Sequence, residues 1–174
     1  FYGGAIAITE GTVNMTGGLL SENYAYNGGG AIYVNAPTTS VTAAILNISG
    51  GTISNNSANT SGGAIYMAYG TINFTNGLIK GNTANQGGGI YLGGGIMNMS
   101  GGTIAENVGN SYGGGFDVFG GDLHRSGGSI VSNKARTGAE SNDGGGAMYV
   151  PTGGEKVFLS GSPFIQNNTS GSNN

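Results

Sequence analysis

The sequence predicts an all-β chain folded as a right-handed parallel β-helix, a solenoid of about six coils with three short strands and 25–26 residues per coil. Three recurring patterns carry this prediction. Gly-Gly, a small residue and an apolar-x-apolar triplet occur together six times. A pair of alternating apolar residues recurs in the middle of each repeat. An apolar-x-x-Asn sequence follows a Gly-rich corner in every repeat.

The first pattern runs from Gly3-Gly4-Ala5-Ile6-Ala7-Ile8 through Gly29–Val34, Gly62–Met67, Gly87–Leu92 and Gly113–Val118 to Gly145-Gly146-Ala147-Met148-Tyr149-Val150. Its leading apolar positions 6, 32, 65, 90, 116 and 148 are spaced by 26, 33, 25, 26 and 32 residues. Alternation over so short a stretch specifies a strand with one buried face. The Gly pairs are expected at corners, where they permit positive φ. They lack the strand-to-helix context of a phosphate-cradling loop.

The second pattern pairs Val13/Met15, Leu46/Ile48, Ile72/Phe74, Met97/Met99, Leu123/Arg125 and Val157/Leu159, all expected to point inward. The third contains Leu20, Ile53, Ile79, Ile104, Ile130 and Ile165, each three residues before Asn23, Asn56, Asn82, Asn107, Asn133 or Asn168. Stacked amides one turn apart can donate to one neighbour and accept from the other, so this column is expected to be a structural Asn ladder at an inner corner.

A repeat of this length cannot bury its own apolar face, but copies stacked about 4.8 Å apart can. The coils are placed near 3–27, 28–61, 62–86, 87–112, 113–143 and 144–169, forming one domain with a polar tail at 170–174. Two insertions, Asn35–Ala44 and Lys134–Asp143, lengthen the second and fifth coils and are expected as surface loops.

Composition excludes several classes of function. A net charge of −3 without a basic cluster leaves no footprint for nucleic acid. The chain has no Cys, so disulfide scaffolds, zinc fingers and thiol chemistry are excluded. No apolar run is long enough to span a membrane as a helix. No secretory signal opens the sequence, which reads as mature or excised. No cofactor or metal site is expected, because the Gly-Gly-x-Gly-x-Asp calcium repeat is missing.

Alternation also fixes the outward columns. On the first strand these are Ala7, Tyr33, Tyr66, Tyr91, Asp117 and Tyr149. Tyr33, Tyr66, Tyr91 and Tyr149 are the candidate contact face, since an exposed Tyr offers an apolar plane and a hydroxyl to a sugar or protein. The competing reading is cross-strand packing, for which Tyr is well suited. On the second strand the outward columns are Asn14, Asn47, Asn73, Asn98, His124 and Phe158, beside Thr16, Ser49, Thr75, Ser100, Ser126 and Ser160. Asn14, Asn47, Asn73 and Asn98 open N-x-S/T sequons and are possible glycan acceptors, as the sequons at Asn55, Asn59, Asn167 and Asn168 also are. Stacking about 4.8 Å apart prevents full glycan occupancy of the four aligned positions, which read as a column first.

Two remote readings remain. The regular Thr/Asn/Ser array suggests an ice-binding surface, but its first rank (Thr12, Ile45, Thr71, Ile96, Asp122, Lys156) varies. Catalysis on a polysaccharide would need clustered acids or an acid with a base. The only concentration is Asp117, Asp122, His124 and Arg125, with Asp117 projecting from a different sheet and Arg125 anomalously inward.

The Gly-Gly-Ala-Ile motifs at 3–6, 29–32 and 62–65, with apolar-x-x-Asn from 20–23 to 165–168, resemble the polymorphic outer membrane protein repeat. That family has Phe where this chain has Leu or Ile. Ser100-Gly-Gly-Thr-Ile104 and Gly87-Gly-Gly-Ile-Tyr91 are similar to repeats of large microbial surface proteins. The resemblance implies an extracellular or cell-surface, adhesin-like rod, often carried by an autotransporter or a wall anchor. The expected function is therefore non-enzymatic binding of a glycan or protein on a host or neighbouring surface. The alternative is a structural stalk or a filament of units stacked end to end, with self as partner. Neither reading calls for nucleic acid or direct membrane insertion.

Overall fold

The computed structural model describes residues 1–36, 43–136, 144–153 and 156–171. All regular structure among them is β, in strands of 2–11 residues that pair only in parallel. The chain is thus all-β, parallel and solenoid-like. Most of the predicted insertions (37–42 and 137–143) and the end of the tail (172–174) lie outside the described residues.

The first sheet stacks Ile6–Ile8, Ile32–Asn35, Ile65–Tyr69, Ile90–Leu92, Phe116–Val118 and Met148–Tyr149 in sequence order. Its register joins Ile6, Ile32, Ile65, Ile90, Phe116 and Met148 into one column. Spacings of 25 and of 33 residues both resolve to the same register. The four central members of this column are fully buried.

The strands lie in three sheets, with three strand segments in each of the first two repeats, as predicted, and four in each of the last four. The fifth repeat has Phe116–Val118, Asp122–Arg125, Ser129–Val131 and Lys134–Ala135. The second and third predicted strands belong to one ten-stranded sheet. They are continuous in Gly11–Ser21 and Ala44–Ser54 and broken at Gly-rich corners in later repeats. The additional segment follows each ladder Asn and forms a six-stranded sheet from Tyr24–Ala25 to Thr169–Ser170. Only one small residue per strand faces inward there (Ala25, Ala58, Ala84 and Ala135 are buried), so no alternation of large apolar residues marks it.

The Gly pair has two roles rather than one. The first Gly has positive φ in all six copies, for example +66° at Gly62. The second, at Gly4, Gly30, Gly63 and Gly114, lies against a carbonyl oxygen of the following repeat, and a Cβ on Gly63 would stand 2.2 Å from that of Gly88. The same chain segment is pinned there by Gly63 N–H donating to Gly87 O at 3.1 Å.

Candidate functional site

Tyr33, Tyr66 and Tyr91 occupy one register column outside the first sheet. Their rings lie along the stack instead of standing out from it. Tyr2 stacks on Tyr33 at 4.6 Å, Tyr33 meets Tyr66 at 5.6 Å, Tyr66 stacks on Tyr91 at 5.0 Å and Tyr91 on Phe119 at 6.0 Å. The rings are therefore less exposed than an outward column implies. Tyr91 is buried at 8% exposure, and Tyr33 and Tyr66 are half-buried, because each ring covers part of the next. Burial pushes all three hydroxyls above the ordinary tyrosine range, so they stay neutral. Tyr149 is separate from this ridge and stacks on Tyr112 at 4.6 Å. Asp117 stands between Tyr91 and Tyr149 in the register. The ring partners Tyr2, Phe119 and Tyr112 come from corners and from another sheet, so column analysis could not find them.

Two Asn ladders run along the stack. In the inner one Asn23, Asn56, Asn82, Asn107 and Asn133 each donate Nδ2–H to Oδ1 of the next Asn, ending at Asn168, at 2.9–3.0 Å. Each backbone N–H donates to the same oxygen. From Asn56 onward Nδ2 also reaches a carbonyl of the preceding repeat, such as Ile79 O from Asn107 at 3.0 Å. Asn56, Asn82, Asn107 and Asn133 are buried, at 0–1% exposure. The outer ladder runs in the opposite sense: Asn98 donates to Asn73, Asn73 to Asn47 and Asn47 to Asn14, at 2.8–2.9 Å. The nitrogen that a glycan would modify in Asn47, Asn73 and Asn98 therefore already holds the ladder.

The fifth repeat concentrates polar residues without assembling them. His124 stacks on Phe158 at 4.6 Å. Asp117 belongs to the first sheet, Asp122 and His124 to another. Among the described residues no three His, Asp or Glu side chains gather to hold a metal. Asp117 is 1% exposed and neither carboxyl oxygen has a partner. Burial raises its pKa to about 7. Arg125, also 1% exposed, donates from Nη2 to Gly128 O at 2.6 Å and Phe164 O at 3.0 Å, while Nε and Nη1 have no partner. Burial lowers its pKa.

Arg125 lies in register between Met99 and Leu159. Arg125→Met removes a desolvated charge and two unpartnered donors, at the loss of two charge-assisted hydrogen bonds to carbonyls. Stability in urea unfolding is expected to rise by about 1 kcal/mol. A loss of more than about 1 kcal/mol would show that the guanidinium–carbonyl bonds outweigh the desolvation.

Compared with known proteins, the chain matches no family model, no curated protein and no solved structure.

Proposed function

We propose that this chain is a right-handed parallel β-helix of six coils that serves as a non-enzymatic, adhesin-like rod on a microbial surface. It binds a glycan or a protein of a neighbouring surface through its aromatic ridge. The ridge is the single observation that carries this reading: five rings, from Tyr2 to Phe119, in contact along one side of a regular scaffold. Tyr2 and Phe119 are 44% and 53% exposed, and the half-buried Tyr33 and Tyr66 lie between them. A rigid row of ring edges and hydroxyls suits stacking on a sugar chain or an extended peptide at little entropic cost. The resemblance of the Gly-Gly-Ala-Ile and apolar-x-x-Asn repeats to surface proteins points the same way.

The test is binding to a panel of glycans and matrix proteins, measured for the wild type, Tyr33→Ala/Tyr66→Ala and Asn73→Ala on the outer ladder. Saturable binding weakened about tenfold or more in the Tyr variant alone is expected. Equal loss in both variants, or none in either, rejects the ridge as the contact face.

A second reading, a stalk or filament subunit stacked end to end, is favoured by the single direction of the inner ladder. The inner ladder has a direction, so only head-to-tail stacking would extend it. Sedimentation across a hundredfold range of concentration distinguishes the readings, because a filament lengthens with concentration and a monomeric adhesin does not.

A further inference from the structure

Three longitudinal side-chain columns change character at the fifth repeat. The aromatic ridge passes from Tyr91 to Phe119 and leaves the register column, where Asp117 stands between Tyr91 and Tyr149. The outer Asn ladder stops at Asn98, whose register partner is His124. One inward apolar column passes from Met99 to Arg125. The inner Asn ladder crosses unchanged, through Asn107, Asn133 and Asn168, as does the apolar column Ile104, Ile130 and Ile165.

A carboxyl group with no hydrogen-bond partner tolerates an interior only while it holds its proton. Asp117 meets that condition: it is 1% exposed, and both oxygens are without a partner. The groups facing it across the sheet are Tyr91 on one side and Tyr149, stacked on Tyr112, on the other. All three are tyrosines, which bring neither a carboxylate nor a basic group to face it. Arg125 is not its counter-ion, since no salt bridge joins them and burial alone accounts for the shift of each group.

We infer that the fifth repeat is a proton-gated joint: neutral Asp117 keeps the last two repeats closed on the stack, and loss of its proton to water opens them locally. The sign follows from linkage. The closed-state pKa, about 7, lies above the ordinary value of 3.8 that the opened, solvated carboxyl regains. Between these values opening releases a proton, so rising pH favours the open form by up to about tenfold per pH unit. Above about 7 both forms are ionised and the effect levels off.

Native-state hydrogen exchange on the whole chain tests this, comparing amides in 113–136 and 144–171 with those in 62–99 after correction for intrinsic rates. From pH 5 to pH 8 the opening constant of the C-terminal amides is expected to rise by about tenfold or more relative to the reference segment. Asp117→Asn, and Asp117→Tyr, which installs the residue of its neighbours, should abolish that rise. His124→Gln, which removes the only imidazole of the chain, should leave it intact. A rise that persists in Asp117→Asn, or its absence in the wild type, overturns the proposal. A carboxyl NMR titration of the wild type gives an independent check: a midpoint for Asp117 near 7 supports the joint, and one near 4 overturns it even where a variant fails to fold.

Discussion

Gly63→Ala is expected to unfold the protein or to cost more than about 4 kcal/mol, a large effect for the addition of one methyl group. The new Cβ would stand 2.2 Å from Gly88 O, 2.6 Å from Thr83 N and 2.7 Å from Thr83 C. All three are backbone atoms, Gly88 O of the next repeat and Thr83 of the same one, so no side-chain rotation relieves the contact. Separating the repeats would stretch the links Gly62 N–H to Gln86 O and Gly63 N–H to Gly87 O, now 2.9 and 3.1 Å. The strain would also spread, because Gly30 meets Gly63 O and Gly114 meets Gly146 O in the same way. Gly17→Ala is the control: its Cβ would meet nothing within 4 Å, and its φ is not positive. It should change stability by less than about 0.5 kcal/mol. Thermal unfolding reads both, with a fall of about 10 °C or more for Gly63→Ala. A fall within a degree or two of the control would mean that the repeats have more room between them than the structure shows.

The second large effect is expected at Asn107. Its Oδ1 accepts from both N–H and Nδ2–H of Asn82, each at 2.9 Å. Its own Nδ2 donates to Asn133 Oδ1 at 2.9 Å and to Ile79 O at 3.0 Å. Asn107→Leu keeps the volume roughly constant but leaves two buried donors of Asn82 and the Ile79 carbonyl without this partner. At about 1–3 kcal/mol for each stranded group, with partial relaxation, the expected loss is about 3–5 kcal/mol. Asn107→Asp separates geometry from charge. It keeps the acceptor but sets an oxygen against Ile79 O and Asn133 Oδ1. Its defect should lessen as pH falls and the carboxyl gains a donating proton, whereas the Leu variant should show no such recovery. Asn73→Leu in the outer ladder should cost about 1 kcal/mol or less, because water can replace a hydrogen bond at a half-buried site. A cost at Asn107 no greater than at Asn73 would refute the view that burial gives the inner ladder its weight.

Much of the stacking was legible because alternation survives in short strands. Ile32, Ile65, Ile90 and Phe116 could be placed inside, and aligned, from their spacing alone. The segment after each ladder Asn was not legible as a strand, since Ala25, Ala58, Ala84 and Ala135 give no large apolar residue to count. In retrospect the near-invariant Asn-x-small triplet was the signal. For the candidate site, period two correctly put Tyr33, Tyr66 and Tyr91 outside the first sheet, but outward is not the same as exposed. Strand period fixes where Cβ points, whereas χ angles decide whether a ring stands in water or lies on its neighbour. The isolation of Asp117 was hidden for the same reason. A residue on an outward position reads as solvated until the rings around it are placed. Arg125 was legible as an anomaly, but its carbonyl partners Gly128 and Phe164 could not be named from spacing.

The repeats differ in length by up to eight residues, yet the paired register is the same across the short and the long ones. Around the longer link of the second repeat the flanks hold their places: Ala36 N–H donates to Tyr69 O at 3.0 Å, and Ala44 pairs with Gly11. Chain length at that corner is thus uncoupled from the order of the stack. Such a scaffold can accept foreign segments at one corner while the ridge and ladders keep their alignment, which makes the corner a natural graft point for peptides displayed at a fixed distance from the aromatic row.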